Sequence, residues 1–558
     1  MKKILAILLL VAVLFSGCDV NALMGQLQDI YIPTSPAPTD PDSTIPDATN
    51  PPPTGEPTAP PPTGEPPVDK EDCTKHTDTN DDGYCDSCFI PIIVDVDLFS
   101  INDLHGKLAD GGSNHPGVDE LTTYLKNAQA KNENTILLSG GDMWQGAAES
   151  NLTNGNIITD WMNDLNFAAM VLGNHEYDWG SEQIRVNNEI AQFPFLAINV
   201  YDKQTNKRVD YCEASVVIEA SGVQIGIIGA IGDCYSSIAV DKCRDVTFKK
   251  ESALTALIKE ESNRLRAQGV DFVVYIIHDG YDSTIGSSSS VSDSYLYSDY
   301  ENKQVYYDTT LSNGYVDLVF EGHTHQGYNF KDKYGVYHLQ NKGDNKGGIS
   351  HVKVTIDAVT NTFTIQESGQ IAQSKYQNLA DDAIVAELLE KYENKISKAY
   401  EVLGNNKTTR NSNYLCQLVA DLYCQFGQEL WGEQYDIVLG GGFIKARSPY
   451  NIYAGNVTYG DVYDVFPFDN DMTLCTIKGS DLLSKFINTT NTNYYIDYTT
   501  YGEGIKNSIQ ANKTYYVVVD SYTAYYSYNN LTVVETYDGK VFARDLLAEY
   551  IREGGLAK

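Results

Sequence analysis

Five short segments of this 558-residue chain carry side chains that can ligate divalent cations. In chain order they are Asp103-Leu104-His105, Gly141-Asp142, Gly173-Asn174-His175-Glu176, His278 and Gly322-His323-Thr324-His325. Five of the nine histidines of the chain fall inside them. Carboxylates, imidazoles and amides are common protein ligands of divalent cations. The set predicts a site for two adjacent cations, which is the equipment of a metal-dependent hydrolase.

The segments come mainly at the ends of apolar runs that predict buried strands. These strands are Ile92–Phe99, Thr135–Leu138, Ala168–Leu172, Phe195–Val200, Val223–Ile231, Phe272–Ile277 and Val316–Phe320. Helical patterns near 118–131, 181–192 and 251–268 lie between them, which predicts an α/β layered domain. Loops at strand ends can bring groups that are distant in sequence to one point, and glycines such as Gly141 allow close backbone approach.

These segments resemble those of the calcineurin-like metallophosphoesterase superfamily, and specifically of its 5′-nucleotidase family. The similarity covers about residues 95–558. It includes Asn102-Asp103-x-His105-Gly106, Gly173–Asp178, Gly322–His325, Tyr459-Gly460-Asp461-Val462 and Pro467-Phe468-x-Asn470. The resemblance implies an N-terminal four-layer αββα sandwich and a smaller α/β C-terminal domain, joined by a helix.

The resemblance also implies roles for residues at matching positions. Asp103, His105 and His325 would hold one cation, Asn174, His278 and His323 would hold a second, and Asp142 would bridge them. The two divalent ions (Zn, Mn, Mg, Co or Ca) would lower the pKa of a bound water, which attacks the phosphoester as hydroxide. His175 would stabilise charge developing on the phosphoryl group, and Asp178 would orient His175.

The C-terminal domain is expected to bind the substrate. In the family two rings sandwich a nucleobase; Phe468 matches the first, Tyr522 falls near the second, and Asn470 lies close to Phe468 in sequence. Lys445 stands where the family has an arginine, and Arg410 resembles a second substrate arginine with its register shifted by one. The family's Gly-Gly-Asp-Gly after the second ring is absent, since the chain continues Ala524-Tyr525-Tyr526-Ser527.

The N-terminus predicts export. Lys2 and Lys3 precede a short apolar run that ends at Leu14-Phe15-Ser16-Gly17-Cys18, which resembles a bacterial lipoprotein signal with lipid attachment at Cys18. The expected location is the outer face of the cytoplasmic membrane, the cell surface or the periplasm. Residues 33–68 are rich in Pro, Thr, Asp and Gly and repeat Pro-Pro-Pro-Thr-Gly-Glu-Pro at 51–57 and 60–66, which favours an extended spacer.

A second cluster of potential ligands follows this spacer. Cys73-x2-His76 precedes Asp78-x-Asn80-x-Asp82-Gly83-x-Cys85-Asp86-x-Cys88. Three interpretations stay open: a four-ligand zinc site, the first half of a calcium loop, or a small disulfide knot. Position 89 is Phe, so the closing Glu of an EF-hand is absent.

Together these observations predict a division of the chain and a function. The predicted parts are a signal peptide (1–17), a disordered Pro-rich linker (18–72), the small Cys/His/Asp motif (73–90), a metallophosphoesterase domain (91–375), a connecting helix (376–404) and a substrate-binding domain (405–558). The expected activity is 5′-nucleotidase-type hydrolysis of nucleotide phosphoesters by a metal-activated hydroxide. Alternatives are a 2′,3′-cyclic nucleotide phosphodiesterase/3′-nucleotidase, a UDP-sugar hydrolase, or an inactive surface-binding protein. The formal net charge of −35 argues against a nucleic acid polymer as partner.

Overall fold

The computed structural model describes most of the chain beyond the spacer. The described residues are 76–112, 114–281, 306–343, 346, 348–442, 450–490, 493–496, 508–527 and 530–557, with Pro62, Pro66 and Cys73. All of them belong to the unit Gly55–Lys558. The predicted signal peptide, the lipid-attachment candidate Cys18 and the substrate candidate Lys445 lie outside the described residues. None of the helices in the described part has the length and apolar content needed to span a bilayer.

The N-terminal domain is built on two six-stranded sheets. Its strands are β1 (Ile93–Ile101), β2 (Thr135–Ser139), β3 (Ala169–Val171), β4 (Phe195–Leu196), β5 (Val200–Asp202), β6 (Ser215–Ala220), β7 (Val223–Ile231), β8 (Val246–Phe248), β9 (Phe272–His278), β10 (Leu318–Glu321), β11 (Tyr328–Lys331), β12 (Tyr337–Gln340), β13 (Ile349–Asp357) and β14 (Thr362–Ile371). The sheet orders are β14-β13-β1-β2-β3-β4 and β11-β12-β10-β9-β7-β6, while β5 pairs with β8. Neighbours from β1 to β4 are parallel, as are those from β12 to β7.

Helices cover the outer faces of the two sheets. They are α1 (Asp119–Lys131), α2 (Ala148–Leu152), α3 (Asn156–Asp164), α4 (Ser181–Ile190), α5 (Glu251–Ala267) and α6 (Ala383–Lys391). Alternate residues of both sheets, such as Val96 and Phe320, form the core between them. The opposite face of the first sheet packs on α1, α3, α4 and α6, and that of the second sheet packs on α5. This confirms the four-layer αββα sandwich.

The C-terminal domain is a smaller α/β unit. Its elements are α7 (Glu393–Ile396), β15 (Val402–Asn406), α8 (Ser412–Trp431), β16 (Ile437–Gly442), β17 (Gly455–Thr458), α9 (Tyr459–Val465), β18 (Met472–Lys478), β19 (Asn493–Ile496), β20 (Thr514–Asp520), β21 (Thr532–Thr536) and α10 (Ala543–Arg552). The main sheet has the order β19-β16-β20-β18-β21. A capping box between Thr458 and Asp461 begins α9 and accounts for part of the Tyr459–Val462 motif.

Two features differ from the elements that the sequence predicts. The segment expected to be one connecting helix is divided into α6, α7 and a 3₁₀ turn, Ser397–Tyr400, and β15 follows before α8. The hairpin β13–β14 was not predicted, although β13 pairs with β1 along eight residues of each strand. Most of β14 is exposed or half-buried, so it has no apolar run to signal a strand.

Candidate active site

Five loops meet where parallel strands of the two sheets end. Asp103 follows β1, Asp142 follows β2 and Asn174 follows β3, while His278 closes β9 and His323 follows β10. β1, β2 and β3 are neighbours in one sheet, and β9 and β10 are neighbours in the other. Because parallel strands share the direction of their carboxyl ends, the two sandwiched sheets deliver all five segments to one edge. This confirms the expected placement at strand ends.

One group of ligand atoms comprises Asp103, His105 and His325. The Nε2 atoms of His105 and His325 are 3.1 Å apart. Asp103 Oδ1 lies 3.2 Å from His325 Nε2 and 3.8 Å from His105 Nε2. Such spacing fits one cation held at the roughly 2 Å distance usual for N and O ligands.

A second group surrounds His278. Its Nε2 lies 3.1 Å from Asp142 Oδ2, and Asp103, Asp142 and His278 bring one donor atom each within 4.8 Å of one another. Asn174 Oδ1 is buried without a hydrogen-bond partner among the described residues. Buried polar atoms are normally paired, so this amide oxygen fits a cation ligand. His323 joins His278 at a ring-centroid distance of 5.5 Å.

A third group of ligand-type side chains contains a sulfur atom, since Cys234 lies beside His278 and His323. Its thiol donates to the His278 carbonyl at 2.7 Å, and burial raises its pKa well above the ordinary value. A neutral, hydrogen-bonded thiol supports the loop after β9, whereas cation binding by sulfur requires the thiolate.

The backbone of the site is held in an unusual conformation. Asp103, His105, Asp142, His323 and His325 all have φ between 51° and 73°. Left-handed backbone costs about 1–3 kcal/mol for residues other than glycine and persists where the surroundings enforce it. The glycines are equally constrained, since a Cβ on Gly173 would lie 2.2 Å from Asp142 Oδ1 and 2.8 Å from His278 Nε2.

Backbone carbonyls orient the two innermost imidazoles. His105 Nδ1 donates to the Gln145 carbonyl at 2.9 Å, and His278 Nδ1 donates to the Gly140 carbonyl at 2.6 Å. Each ring therefore turns its Nε2 toward the site. Asp103 Oδ2 accepts from Asn102 Nδ2 and from the His323 N–H, which leaves Oδ1 facing the other candidate ligands.

Glu176 is a positioning residue to which the sequence patterns gave no role. Its buried carboxylate accepts the backbone N–H groups of Asp142, Met143 and Gly173 at 2.7–2.8 Å. It thus joins the loop after β2 to the loop after β3. Burial, with Asp142 nearby, raises the Glu176 pKa to about 7. In the sequence, only the position of Glu176 beside His175 in Gly173-Asn174-His175-Glu176 pointed to a role at the site.

Charge is balanced inside the site. Burial alone would raise the pKa of Asp103 and Asp142, but His325 lowers the first, and His278 and His175 lower the second further. Burial lowers the pKa of His278, yet Asp142 outweighs it and brings it to about 10. Burial, with His278 nearby, lowers the His323 pKa to about 4. The carboxylates and His323 are therefore in the ionisation states that cation binding uses.

His175 stands at the mouth of the site. Its backbone N–H donates to Asp142 Oδ1 at 2.8 Å, and its Nδ1 lies 2.9 Å from Asp178 Oδ2. Its ring stacks on Phe468 of the C-terminal domain, with 5.7 Å between centroids and 29° between planes. The pair His175–Phe468 therefore spans the junction of the two domains.

A cleft of 1070 Å³ opens beside this pair. Both domains line it, the N-terminal one with Asn174, His175 and Asp178 and the C-terminal one with Phe468, Asn470 and Tyr522. Lys242 and Arg244 also line it, and the sequence patterns did not single them out. Arg410 is placed elsewhere, with its guanidinium 4.5 Å from the Tyr414 ring centroid, and is not among the described residues that line the cleft.

The layered fold and the ligand-type side chains at its strand ends define a metallophosphoesterase. Residues 99–327 match the family model of the calcineurin-like phosphoesterases. Residues 349–532 match that of the 5′-nucleotidase C-terminal domain. The chain therefore belongs to the 5′-nucleotidase family, which is a family of phosphoester hydrolases.

Curated relatives are similar at low identity. Endonuclease YhcR of Bacillus subtilis is 25% identical over 70% of this chain and 32% of its own length. Protein UshA of Yersinia enterocolitica is 24% identical over 70% of this chain and 75% of its own length. Cell wall protein Lmo0130 of Listeria monocytogenes is 24% identical over 70% of this chain and 55% of its own length. The chain thus spans about a third of the length of endonuclease YhcR.

A solved structure shares the fold. The 5′-nucleotidase precursor of Thermus thermophilus aligns with a TM-score of 0.58 and 19% identity, covering 82% of this chain and 96% of that one. The two backbones agree over nearly the whole of that chain. At this identity the agreement concerns the fold and not the choice of substrate.

Proposed function

We propose that this protein is an exported hydrolase that uses two divalent cations to cleave nucleotide phosphoesters. The observation that carries the proposal is the convergence of Asp103, Asp142 and His278, which bring one ligand-type atom each within 4.8 Å of one another, beside a cleft lined by aromatic rings. Gathering buried carboxylates in this way costs free energy, which a bound cation offsets.

The donor set fits two cations. Asp103, His105 and His325 would hold one, Asn174, His278 and His323 the other, with Asp142 shared between them. When bound, such ions polarise a phosphoryl oxygen and lower the pKa of water. The chain's own contribution is to fix the ligands beforehand through left-handed backbone and through the Glu176 carboxylate.

His175 and Asp178 would act on the phosphoryl group directly. His175 lines the cleft next to Asn174, and the Asp178 carboxylate beside its Nδ1 turns the other ring nitrogen toward the cleft. From there it can donate a hydrogen bond to a phosphoryl oxygen as negative charge develops. Lys242 and Arg244 add positive charge along the same cleft, which suits an anionic substrate.

Phe468 and Tyr522 would hold a base. Both line the cleft, and Tyr522 is 41% exposed. Stacking of a base on an aromatic ring contributes about 1–3 kcal/mol and tolerates any base. Asn470, in the same cleft, would add a directional hydrogen bond. This favours nucleotides over phosphoesters that have no ring to stack.

Export to the cell surface is part of the proposal. Its support is the lipoprotein-type sequence ending at Cys18 and the name of the relative Lmo0130, a cell wall protein. Mass spectrometry of the membrane fraction tests it, since a diacylated Cys18 as first residue is expected. A mature chain that still begins at Met1 contradicts it.

A substrate panel tests the enzymatic proposal. The purified chain, supplied with Mn²⁺, Zn²⁺, Mg²⁺, Co²⁺ or Ca²⁺, is assayed on nucleoside phosphates, 2′,3′-cyclic nucleotides, UDP-glucose and p-nitrophenyl phosphate. Asp142→Ala should lower kcat by at least about a thousandfold, since loss of the shared ligand removes several kcal/mol of stabilisation. Unchanged turnover in that variant would refute the site.

A pair of variants, Phe468→Ala and a control, tests the base-binding role. Phe468→Ala should raise KM for nucleoside monophosphates about tenfold or more and leave p-nitrophenyl phosphate hydrolysis nearly unchanged. Tyr334→Ala, a 46% exposed tyrosine on the β11–β12 turn, is the matched control. Equal losses on both substrates would assign Phe468 to packing on His175 instead.

A further inference from the structure

Four metal-binding side chains converge at the other end of the N-terminal domain, outside both family matches. They are Cys73, His76, Cys85 and Cys88, and one ligand atom of each lies within 4.8 Å of all the others. Cys73 Sγ is 3.6 Å from His76 Nδ1 and 3.8 Å from Cys85 Sγ. Cys88 Sγ is 3.4 Å from the same His76 nitrogen.

These separations match the edges of a ligand tetrahedron. Zn–S distances of about 2.3 Å and Zn–N distances of about 2.0–2.1 Å place neighbouring donors roughly 3.4–3.8 Å apart in tetrahedral geometry. A disulfide needs its sulfurs about 2.05 Å apart and gives the histidine no part. The arrangement of three thiols and one imidazole is therefore that of a four-ligand zinc site.

The calcium interpretation fits less well. Both oxygens of Asp78 accept backbone N–H groups, one from Asp82 at 3.2 Å and one from Gly83 at 2.9 Å. Asp82 Oδ1 accepts the Tyr84 N–H at 2.9 Å, and its Oδ2 accepts from Asn80. The carboxylates thus shape the turn that carries Cys85 to its place.

Cys85 and Cys88 are buried in a small core that includes Ile90 and Ile92. Buried charges are normally paired or coordinate a metal, and a zinc ion would balance the charge of thiolates at these two positions.

The cluster is tied to the start of β1. Gly83 and Ile92 are joined by a backbone hydrogen bond of 2.9 Å, and Ile90 packs on the turn before β7, where a Cβ on Gly222 would lie 2.3 Å from Ile90 Cδ1. β1 then runs to the loop that carries Asp103, nine residues of about 3.3 Å each away. The cluster therefore lies at the opposite end of β1 from the catalytic loops.

We propose that Cys73, His76, Cys85 and Cys88 bind one structural zinc ion that fastens the segment before β1 to the sandwich. Four protein ligands leave no open position, so the ion takes no part in hydrolysis. The proposal does not rest on the proposed function, since it concerns a separate metal and a separate part of the chain.

Zinc analysis of the full-length chain tests the site. The protein is purified under reducing conditions, dialysed against metal-free buffer and measured by elemental mass spectrometry. Cys85→Ser/Cys88→Ser should lose one zinc per chain, while the matched control Cys243→Ser, half-buried and remote from the cluster, should lose none. The proposal would be overturned if Cys85→Ser/Cys88→Ser kept its zinc, or if the unmutated chain held calcium tightly in place of zinc.

Cobalt substitution and thiol labelling test the site without the Cys85→Ser/Cys88→Ser variant, so they remain informative if that variant folds poorly. Asp142→Ala loaded with Co²⁺ alone should still show thiolate-to-cobalt charge-transfer absorption, and His76→Ala should shift it. In the unmutated chain, peptides bearing Cys73, Cys85 and Cys88 should resist alkylation until a chelator is added. A disulfide among these three cysteines in protein isolated without reductant would contradict zinc binding.

Discussion

At the scale of single residues, the site combines candidate ligands that are held in place with one histidine that faces the cleft. His105 and His278 each donate Nδ1–H to a backbone carbonyl, so their Nε2 atoms are fixed. His175 is different, because its partner is the Asp178 carboxylate and it is partly exposed to the cleft. The Asp178 pKa is raised by burial, although His175 opposes this. His105 and His278 thus differ from His175 in what their Nδ1 atoms contact.

Asp178→Asn tests the helper role of His175. The amide keeps the shape but removes the charge beside Nδ1, so kcat should fall about a hundredfold, the scale of losing one charge-stabilising donor. KM and bound metal should stay unchanged, as measured by steady-state kinetics and elemental analysis. Asp538→Asn, an exposed residue in the turn after β21, serves as control. A loss of metal in Asp178→Asn would show that the pair supports the ligands instead.

At the scale of elements, two loops are joined by a single carboxylate. Glu176 binds three backbone N–H groups from the loops after β2 and β3, the loops that carry Asp142 and Asn174. Glu176 lies in the loop after β3, so this loop supplies the carboxylate that also holds the loop after β2. The spacing of the two candidate ligands therefore depends on a residue that does not face the cleft.

Glu176→Gln should loosen the ligands without touching substrate. Glutamine offers one accepting oxygen and turns an NH₂ group toward backbone donors, so metal affinity should fall about 10–100-fold, as measured by competition with a chelator. Added metal should restore most of kcat. Glu182→Gln on α4, whose side chain is 86% exposed, is the matched control and should leave affinity unchanged. Equal affinity in both variants would remove Glu176 from the site.

The sequence predicts local features better than partnerships. Asp142, Asn174 and His323 each follow a strand and a glycine, and Asp103 comes at the end of an apolar run, so they could be placed before the fold was known. Glu176 could not be assigned, because the backbone N–H groups that it accepts lie in two loops. The β13–β14 hairpin was missed since β14 lacks an apolar run. Arg410 matches a motif but packs against Tyr414, which pattern comparison cannot reveal.

At the scale of the whole molecule, polar contacts attach the C-terminal domain beside the metal loops. Gln145 and Asn151 both donate to the Pro467 carbonyl, at 3.0 and 3.1 Å, next to Phe468. Gln145 also accepts from His105 through its carbonyl. The aromatic wall of the cleft and a candidate ligand are therefore connected through one residue, and the domain junction sets their separation.

A buried charge cluster completes that junction. Lys107 Nζ lies 2.7 Å from Asp464 Oδ1, and His115 Nε2 lies 3.0 Å from Asp464 Oδ2. The Lys107 side chain is fully buried, and Tyr450 packs over its ammonium at 4.8 Å. Burial would raise the Asp464 pKa, but Lys107 and His115 outweigh it and hold the pKa well below its ordinary range. This carboxylate is thus the common partner of two side chains of the N-terminal domain.

Asp464→Asn should weaken the molecule in a pH-dependent way. Removing one partner leaves Lys107 buried and unneutralised, which costs about 3–5 kcal/mol at neutral pH. A depressed folded-state pKa stabilises the protein above the unfolded pKa of about 3.9, and that contribution is lost as pH falls. Thermal unfolding at several pH values should therefore show a deficit that shrinks below about pH 4, while exposed Asp436→Asn shows none. A deficit that does not change with pH would mean that Asp464 contributes through its shape and not through its charge.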